Sequence, residues 1–272
     1  MNELAGKTAI VTGATRKRGL GRAIALALAG AGADVVVTGR EANPAHLTAD
    51  ERDEGWRGLL DVAAEVEALG VRSHGVSMDV RNSEDVQRLM RVTVERMGRI
   101  DILVNNATYA RANDRVPLQE LDDALWREIV DVNLTGAMLC SKYAAKQMIA
   151  QQQGGSIVSI SSGAAIKAQA TFSAYAASKA GLHALTSCLA AELGPHGITA
   201  NVIAPGFLDT ARVDVLRDPK RWEQRLSTIP IKRPGTVEEV ADLVRYLCGP
   251  SARWISGDVL LINGGEVRRA AD

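Results

Sequence analysis

The residues best suited to chemistry are a tyrosine and a lysine four positions apart, Tyr175 and Lys179. On a helix, positions i and i+4 lie on one face, so the ammonium group would lie beside the phenol. A positive charge at that distance stabilises the phenolate and makes the tyrosine a better general acid near neutral pH. Such a pair can give a proton to a carbonyl oxygen. Most Tyr-x-x-x-Lys pairs are surface pairs, so this assignment depends on neighbouring signals.

A second candidate site is a glycine-rich turn between the first strand-like run and a helical pattern. It reads Thr12-Gly13-Ala14-Thr15-Arg16-Lys17-Arg18-Gly19-Leu20-Gly21. Glycines let a backbone approach a pyrophosphate closely, and the free N–H groups and dipole of a helix N-terminus favour an anion. The spacing differs from GxGxxG, and glycine-rich turns also serve as plain connections. The pattern therefore predicts a phosphate site that the rest of the fold must support.

Arg40 indicates which nucleotide this site would bind. It follows the second strand, 19 residues after the last glycine of the turn, where a dinucleotide fold contacts the adenosine ribose. An acidic residue there would accept the 2′-hydroxyl of NAD. Arg40, with Arg16, Lys17 and Arg18 in the turn, instead favours the 2′-phosphate of NADP. The sequence thus predicts NADP over NAD, although a solvated basic loop is an alternative and Glu41 could reverse the preference.

Charge and composition exclude several classes of protein. The 272 residues include 32 Lys plus Arg and 32 Asp plus Glu, a balance that offers no general attraction to nucleic acid or anionic membranes. The apolar share of 46% and charged share of 24% are typical of a globular chain with a large core. We therefore expect a small-molecule partner, with neither a nucleic acid nor a membrane partner.

Localisation is predicted from three features of the chain. The longest uncharged stretch, 147–166, is too rich in Gln, Gly and Ser to span a bilayer. Residues 1–7 lack the pattern of a secretion signal. Cys140, Cys188 and Cys248 lie far apart without CxxC spacing, so they are interpreted as small core residues in a reducing compartment. Together these features predict a cytoplasmic protein.

Short β-rich runs alternate with segments of helical period, a pattern typical of βαβ units. Seven strands are predicted, over Thr8–Thr12, Val35–Thr38, Val71–Ser77, Ile102–Asn105, Ser156–Ile160, Thr199–Ala204 and Val259–Ile262. Crossover helices are predicted over Leu20–Ala31, Leu59–Leu69, Glu84–Met97, Asp122–Ala150, Ser173–Leu193 and Val237–Leu247. The expected fold is therefore α/β, a Rossmann-type doubly wound parallel sheet of about seven strands with helices on both faces. A single domain, 1–272, is expected.

Further motifs occur in a consistent order around these two sites. They are Leu103-Val104-Asn105-Asn106-Ala107, Val132-Asn133-Leu134-Thr135-Gly136, Ser162 thirteen residues before Tyr175, the run from Asn201 to Thr210, Asp79-Val80 and the run from Ser256 to Gly265. From about residue 5 to 265, this pattern resembles the short-chain dehydrogenase/reductase family. Within it, the pattern is nearest to the 3-oxoacyl-carrier-protein reductases, but relatives with similar motifs act on sugars, steroids or small alcohols.

The resemblance implies an NADP-dependent oxidoreductase that transfers a hydride between nicotinamide and a carbonyl or secondary alcohol. It implies that Tyr175 donates the proton and that Ser162 polarises the carbonyl oxygen. Lys179 would support Tyr175 and hold the nicotinamide ribose, and Asn133 would hold a water of a proton relay. The implied cofactor-binding residues are Gly13, Arg16, Arg18, Gly19, Leu20, Arg40, Asp79, Val80, Asn106, Ala107, Tyr175, Lys179, Pro205, Gly206 and Leu208.

Assembly and substrate binding are also predicted. The resemblance implies a homotetramer built through the helices 122–150 and 173–193 and the C-terminal strand. The segment 207–235 is expected to form a substrate lid. Its apolar residues could contact substrate or pack within the lid, and they are Phe207, Val213, Val215, Leu216 and Trp222.

Three features depart from the family pattern. Five residues, Ala14 to Arg18, separate Gly13 from Gly19, two more than usual. Thr108 occupies the position where Asn-Asn-Ala-Gly has glycine, and its branched side chain restricts the backbone. Residues 41–58 form an insertion after the second strand, for which the sequence suggests no function.

Other functional classes lack their motifs. There is no GxSxG for a hydrolase, and no HExxH or cysteine pair for zinc, so no metal site is expected and His183 is interpreted as helix packing. A noncatalytic NADP-binding regulator on the same fold is an alternative, because fold does not imply function. An NAD-dependent alcohol, sugar or steroid dehydrogenase is another.

Overall fold

The sheet contains seven parallel strands. The computed structural model describes residues 2–41, 47–110, 114–211, 214 and 218–266. The strands are β1 (Thr8–Thr12), β2 (Asp34–Gly39), β3 (Ser73–Ser77), β4 (Ile102–Asn105), β5 (Gly155–Ile160), β6 (Ile198–Pro205) and β7 (Val259–Ile262). Their order in the sheet is β3-β2-β1-β4-β5-β6-β7. This order confirms the predicted α/β fold.

Helices connect the strands and cover both faces of the sheet. They are α1 (Leu20–Gly30), α2 (Ala49–Asp53), α3 (Leu59–Glu67), α4 (Ser83–Met97), α5 (Asp123–Val130), α6 (Gly136–Gln151), α7 (Ser173–Leu193), α8 (Pro219–Ser227) and α9 (Val237–Cys248). The predicted helix 122–150 is divided, because a π-helical segment, Asp131–Thr135, joins α5 to α6. None of the helices described is long and apolar enough to cross a membrane.

Two apolar cores lie on opposite faces of the sheet because successive strand residues point in opposite directions. In β1, Ala9 and Val11 belong to one core, and Ile10 between them belongs to the other. Helices α1, α3 and α9 contribute buried residues to the first core, and α4, α6 and α7 to the second. Both faces are therefore buried, which explains the nearly continuous apolar runs in the strands.

The direction of the strand order reverses between β1 and β4. Strands β2 and β3 follow on one side of β1, whereas β4 pairs with its other side. In open parallel sheets, ligands bind outside the carboxyl ends of the strands at such a switch point. The glycine-rich turn after β1 and the Asn105-Asn106-Ala107 run after β4 both begin at this edge.

Candidate active site

Tyr175 and Lys179 lie in the first turns of α7, with the lysine ammonium 6.0 Å from the centre of the tyrosine ring. The Lys179 side chain is buried, and its Nζ donates a 2.8 Å hydrogen bond to the Ile160 carbonyl at the end of β5. The strand end therefore fixes the position of the charge. The predicted pairing of these two side chains on one helix face is present.

Ser162 follows β5 by two residues and begins the short turn Gly163–Ala165, which packs against α7. Its Oγ accepts a 3.2 Å hydrogen bond from the Ala164 N–H, so the backbone fixes the hydroxyl near the start of α7. The structure thus brings Ser162 to the same end of the sheet as Tyr175 and Lys179.

His183 contacts the buried residue next to Ser162. Its Nε2 lies 2.8 Å from Ser161 Oγ, whose hydroxyl donates a 3.0 Å bond to the Lys179 carbonyl. The Ser161 hydroxyl has a single proton and uses it in the bond to the Lys179 carbonyl. Its oxygen therefore accepts the hydrogen bond from His183 Nε2. Burial lowers the pKa of His183, which favours the neutral ring. His183 therefore secures the helix backbone at Lys179, a more specific role than the predicted packing.

Asn133 is buried in the π-helical segment between α5 and α6. Its Oδ1 accepts hydrogen bonds from the Tyr109 N–H at 2.7 Å and from Thr108 Oγ1 at 3.0 Å. Its Nδ2 donates a 2.9 Å bond to Ser178 Oγ, beside Lys179. Asn133 therefore joins the loop after β4 to α7. Thr108 adds a hydroxyl donor that the glycine usual at this position lacks.

Arg115 is a residue of this site that sequence analysis missed. Its guanidinium lies 4.7 Å from the centre of the Tyr175 ring and 3.8 Å from that of Phe172. The side chain is 14% exposed and forms a 3.1 Å ion pair with Asp114, which is 2% exposed. Next to Phe172, Thr171 has a φ of 68°, a backbone strain that persists only where surrounding contacts enforce it. An Asp-Arg pair in a polar loop gave no sequence signal for this contact.

The glycine-rich turn is held against the end of β4. Asn106 donates from Nδ2 to the carbonyls of Thr12 at 2.8 Å and Gly13 at 3.1 Å. Thr12 Oγ1 accepts from the N–H groups of Asn106 and Ala107, each at 3.0 Å. Gly13 has a φ of +69°, and a Cβ there would lie 2.8 Å from the Ala107 Cα. Only glycine fits this crossing, so Gly13, Asn106 and Ala107 shape the turn.

The first turn of α1 fits an anionic group such as a pyrophosphate. Its N-cap, Gly19, makes no side-chain capping bond, and no acidic side chain lies in the first turn. The N–H groups at Leu20 and after it, together with the helix dipole, therefore favour an anion. A Cβ on Gly21 would lie 2.5 Å from the Gly13 carbonyl oxygen, so this glycine allows the helix to begin directly against the turn.

The three basic residues of the turn form ion pairs with acidic side chains. Arg16 pairs with Glu51 at 3.0 Å, Lys17 with Glu54, and Arg18 with Asp214 at 2.8 Å. Two of these partners belong to the 41–58 insertion and the third to the 207–235 segment. Sequence analysis assigned the charges of the turn to a cofactor phosphate, whereas this structure neutralises them within the protein.

Arg40 differs from these residues. It is exposed directly after β2, and within the part of the chain that the structure describes its side chain forms no hydrogen bond or close ion pair, although its charge helps to lower the pKa of Asp79. It lines a groove of about 540 Å³ with Glu41, Ser77, Met78 and Asp79 among its walls. Of the basic residues predicted to bind a 2′-phosphate, Arg40 retains an available guanidinium.

Asp79 lies on the other wall of this groove. Arg81 donates hydrogen bonds to its carboxylate from Nε at 3.0 Å and from Nη2 at 2.6 Å. These bonds hold the pKa of Asp79 below its usual value. Val80 is buried and packs closely on Gly136. A Cβ added to Gly136 would lie only 2.7 Å from Val80 Cγ2.

The predicted nicotinamide side lies after β6. Pro205 ends that strand, and the Gly206 N–H donates a 2.9 Å hydrogen bond to the Ile262 carbonyl in β7. Leu208 forms an isolated parallel bridge with Gly235, which closes the base of the 207–235 segment. These contacts hold the segment against the end of the sheet.

Within that segment, α8 follows the loop. The Phe207 and Trp222 rings meet edge to face at 5.2 Å, so these two residues of the segment pack on each other. Val213, Val215 and Leu216 lie outside the described residues. Among the described residues, no three His, Cys, Asp or Glu side chains are grouped to hold a metal ion.

Comparison with known proteins defines the family. Residues 13–266 match the family model described as enoyl-(acyl carrier protein) reductase. A 3-oxoacyl-[acyl-carrier-protein] reductase FabG from Aquifex aeolicus is 36% identical over 263 residues, covering 97% of this chain and 98% of the relative. The short chain dehydrogenase/reductase astE of Aspergillus oryzae is 40% identical over 267 residues, covering 96% and 95%.

The solved structures that resemble this chain include dehydrogenases. Carveol dehydrogenase from Mycobacterium avium in complex with NAD has a TM-score of 0.88 at 28% identity, covering 98% of this chain and 99% of that chain. A putative short-chain alcohol dehydrogenase from Sinorhizobium meliloti has a TM-score of 0.85 at 36% identity, covering 97% and 98%. The chain belongs to the short-chain dehydrogenase/reductase family of oxidoreductases. Its similar curated relatives include several 3-oxoacyl-[acyl-carrier-protein] reductases.

Proposed function

We propose that this protein is an NADP-dependent oxidoreductase that reduces a carbonyl, or oxidises the corresponding secondary alcohol, and that 3-oxoacyl thioesters are its substrate class. The observation that carries the proposal is the buried Lys179 beside Tyr175, fixed by the Ile160 carbonyl at the end of β5. The thioester class is supported by the curated relatives named as 3-oxoacyl-[acyl-carrier-protein] reductases.

Each polar residue has a distinct role in this proposal. Tyr175 holds the proton that passes to the substrate oxygen, and Lys179 stabilises the phenolate that remains. Ser162 donates a hydrogen bond to the same substrate oxygen. Asn133 keeps the loop after β4 against α7, and it would support a water on the route from Lys179 to solvent. A bound nicotinamide would supply or accept the hydride.

The cofactor would lie along the carboxyl edge of the sheet. The N–H groups that begin α1 at Gly19 and Leu20 would hold its pyrophosphate, and Asp79 with Val80 would border the adenine. Arg40 would bind the 2′-phosphate, because its guanidinium is exposed in the groove beside Asp79. Pro205, Gly206 and Leu208 would cover the nicotinamide, with 207–235 as a lid over the substrate.

A substrate panel tests this proposal directly. Oxidation of NADPH is followed with a 3-oxoacyl thioester, a cyclic ketone, a keto sugar and a steroid ketone. The highest kcat/KM is expected for the thioester. Binding of NADPH without turnover of any carbonyl would instead favour a noncatalytic NADP-binding regulator.

An NAD-dependent alcohol, sugar or steroid dehydrogenase is the second candidate. The ion pairs of Arg16, Lys17 and Arg18 favour it, because they reduce the positive charge available to a 2′-phosphate. The similarity to carveol dehydrogenase in complex with NAD favours it as well. Faster oxidation of a secondary alcohol with NAD than with NADP would select this candidate.

Arg115 provides a prediction about the substrate side of the site. Replacing Arg115 with Met removes its 3.1 Å ion pair with the buried Asp114 carboxylate, and breaking such a buried pair costs about 3 kcal/mol of folding stability. Chemical denaturation should report this loss, and KM for the carbonyl substrate should rise because the Phe172 wall beside Tyr175 loosens. Adding Asp114→Asn should restore part of the stability. Unchanged stability in Arg115→Met would contradict this account.

The proposed assembly is a homotetramer formed through α5–α6, α7 and β7. Strand β7 lies at an edge of the sheet. The side chain of Leu261 in this strand is 49% exposed, and that of Trp254, which precedes the strand, is 99% exposed. Large exposed apolar side chains at a sheet edge favour burial in an interface. Light scattering at micromolar concentration should give four times the mass of one chain. A strictly monomeric mass would refute the assembly.

A cytoplasmic location is part of the same proposal. Cys140, Cys188 and Cys248 are free thiols, and burial raises the pKa of both Cys140 and Cys248 to about 12. The two buried thiols are unreactive core residues, consistent with a reducing compartment, whereas Cys188 is exposed, so its interpretation as a core residue is wrong.

A further inference from the structure

The 41–58 insertion contacts the lengthened glycine-rich turn directly. Residues 48–56, here called the clamp, contain α2 and lie against residues 15–17 of the turn. In the sequence, the lengthened turn and the 41–58 insertion are two separate departures from the family pattern. In the folded chain they form one contact surface beside the start of α1.

Glu51 is the centre of the clamp. Its side chain is 1% exposed, and its oxygens accept hydrogen bonds from the Lys17 N–H and the Thr48 N–H, both at 2.9 Å. The Arg16 guanidinium pairs with it at 3.0 Å. A buried carboxylate is tolerated only when it is paired and hydrogen-bonded. Glu51 therefore holds the turn through both its backbone and a side chain.

Trp56 holds Thr15, the residue that precedes Arg16 and Lys17 in the turn. Its Nε1 donates a 2.9 Å hydrogen bond to the Thr15 carbonyl, and its ring packs against the core that contains α1 and α3. Lys17 adds an exposed ion pair with Glu54, which contributes little because water screens it. Three consecutive residues of the turn are thus bonded to the clamp.

The held turn is also packed against its own base. A Cβ on Gly19 would lie 2.9 Å from Arg16 Cβ, and a Cβ on Gly39 would lie 2.7 Å from Thr15 Cγ2. Residue 16 therefore packs directly against Gly19, the N-cap of α1, and residue 15 packs against Gly39 at the end of β2. The conformation of the turn and the access to the N–H groups of α1 are linked.

We propose that the clamp is a positioning element for the dinucleotide, with Glu51 and Trp56 as its positioning residues. They fix the conformation of residues 15–17 beside the N-terminus of α1, so that the N–H groups of the helix stay accessible to the pyrophosphate. The proposal rests on the proposed function, because it requires a dinucleotide at this turn. It also changes the role of Arg16, which is a partner of the clamp and does not select the 2′-phosphate.

Because the pyrophosphate is common to both cofactors, loss of the clamp weakens NADPH and NADH binding by the same factor. Trp56→Phe removes one N–H donor and keeps an aromatic ring in the core. Glu51→Gln keeps the shape of the side chain and removes its charge. Each is expected to raise both dissociation constants about 10-fold, the scale of one lost hydrogen bond.

Titration calorimetry with NADPH and with NADH measures these constants. Asp53→Asn is the matched control, because Asp53 is an exposed carboxylate of α2, two residues from Glu51, and should change neither constant. In Trp56→Phe, kcat at saturating cofactor and KM for the carbonyl substrate should stay within about twofold of the parent values, whereas KM for the cofactor rises. General damage to the fold would change all three.

Arg16→Gln separates positioning from charge selection. It should weaken NADPH and NADH binding equally, whereas an arginine that bound the 2′-phosphate would affect NADPH alone. Parent-like affinities in Trp56→Phe and Glu51→Gln, or a selective loss of NADPH affinity in Arg16→Gln, would overturn the clamp and leave the proposed function intact. Failure of the unaltered protein to bind either dinucleotide would overturn both.

Discussion

Replacing Tyr175 with Phe is expected to lower kcat by about 100-fold or more, because the ring remains but the acidic proton is lost. The ring centre lies 4.7 Å from the Arg115 guanidinium and 6.0 Å from the Lys179 ammonium, and phenylalanine retains both of these contacts. Folding and cofactor affinity should therefore stay close to the parent values. The measurement is kcat with any accepted ketone, together with the dissociation constant of the cofactor.

Lys179→Ala is the informative comparison for this experiment. It removes the charge beside Tyr175 and the proposed contact to the nicotinamide ribose, so it should reduce both turnover and cofactor affinity. Turnover close to that of the parent in Tyr175→Phe would rule out Tyr175 as the acid. Equal losses of cofactor affinity in the two variants would show that the two residues do not divide these roles.

Replacing Arg40 with Asp is expected to turn the cofactor preference from NADP toward NAD. A charge-assisted hydrogen bond to a phosphate contributes roughly 1.5 to 3 kcal/mol, which corresponds to about 10- to 100-fold in affinity. The new carboxylate would also repel the 2′-phosphate and accept the ribose 2′-hydroxyl. The ratio of kcat/KM for NADPH and NADH should therefore fall by at least that factor.

Lys17→Gln is a suitable control, because it removes one positive charge from the same corner of the molecule. Lys17 already pairs with Glu54, so the cofactor ratio should change little. Equal or NADH-favouring values in the unaltered protein would show that Arg40 does not select NADP. In that case Glu41, which lines the same groove, would be the first residue to test for a ribose contact.

Much of the fold was predictable because the pattern of apolar residues is local. The alternation of Ala9, Ile10 and Val11 between two cores requires a strand covered on both faces, and this can be read from the sequence. The π-helical segment at Asn133 was not predictable. Within that segment, Asn133 forms hydrogen bonds with residues 25 and 45 positions away, Thr108 and Ser178, and such distant contacts leave no local signal.

The candidate site also contains one feature that the sequence predicts and one that it does not. The four-residue spacing of Tyr175 and Lys179 determines that they share a helix face, because helix geometry is local. The position of Arg115 against the Tyr175 ring is decided by how the loop after β4 packs on α7, 60 residues further along the chain. No pattern near Arg115 encodes that approach.

The sequence by itself determined the parallel sheet, the glycine-rich turn and the order of the motifs, because each depends on neighbouring residues. Only the tertiary structure decided which charges are available to a ligand. Arg16, Lys17 and Arg18 are identical in formal charge to Arg40, yet they pair with carboxylates from distant segments while Arg40 remains exposed. A charge acts on a ligand only to the extent that the folded protein has not already neutralised it, and that depends on contacts between segments far apart in the chain.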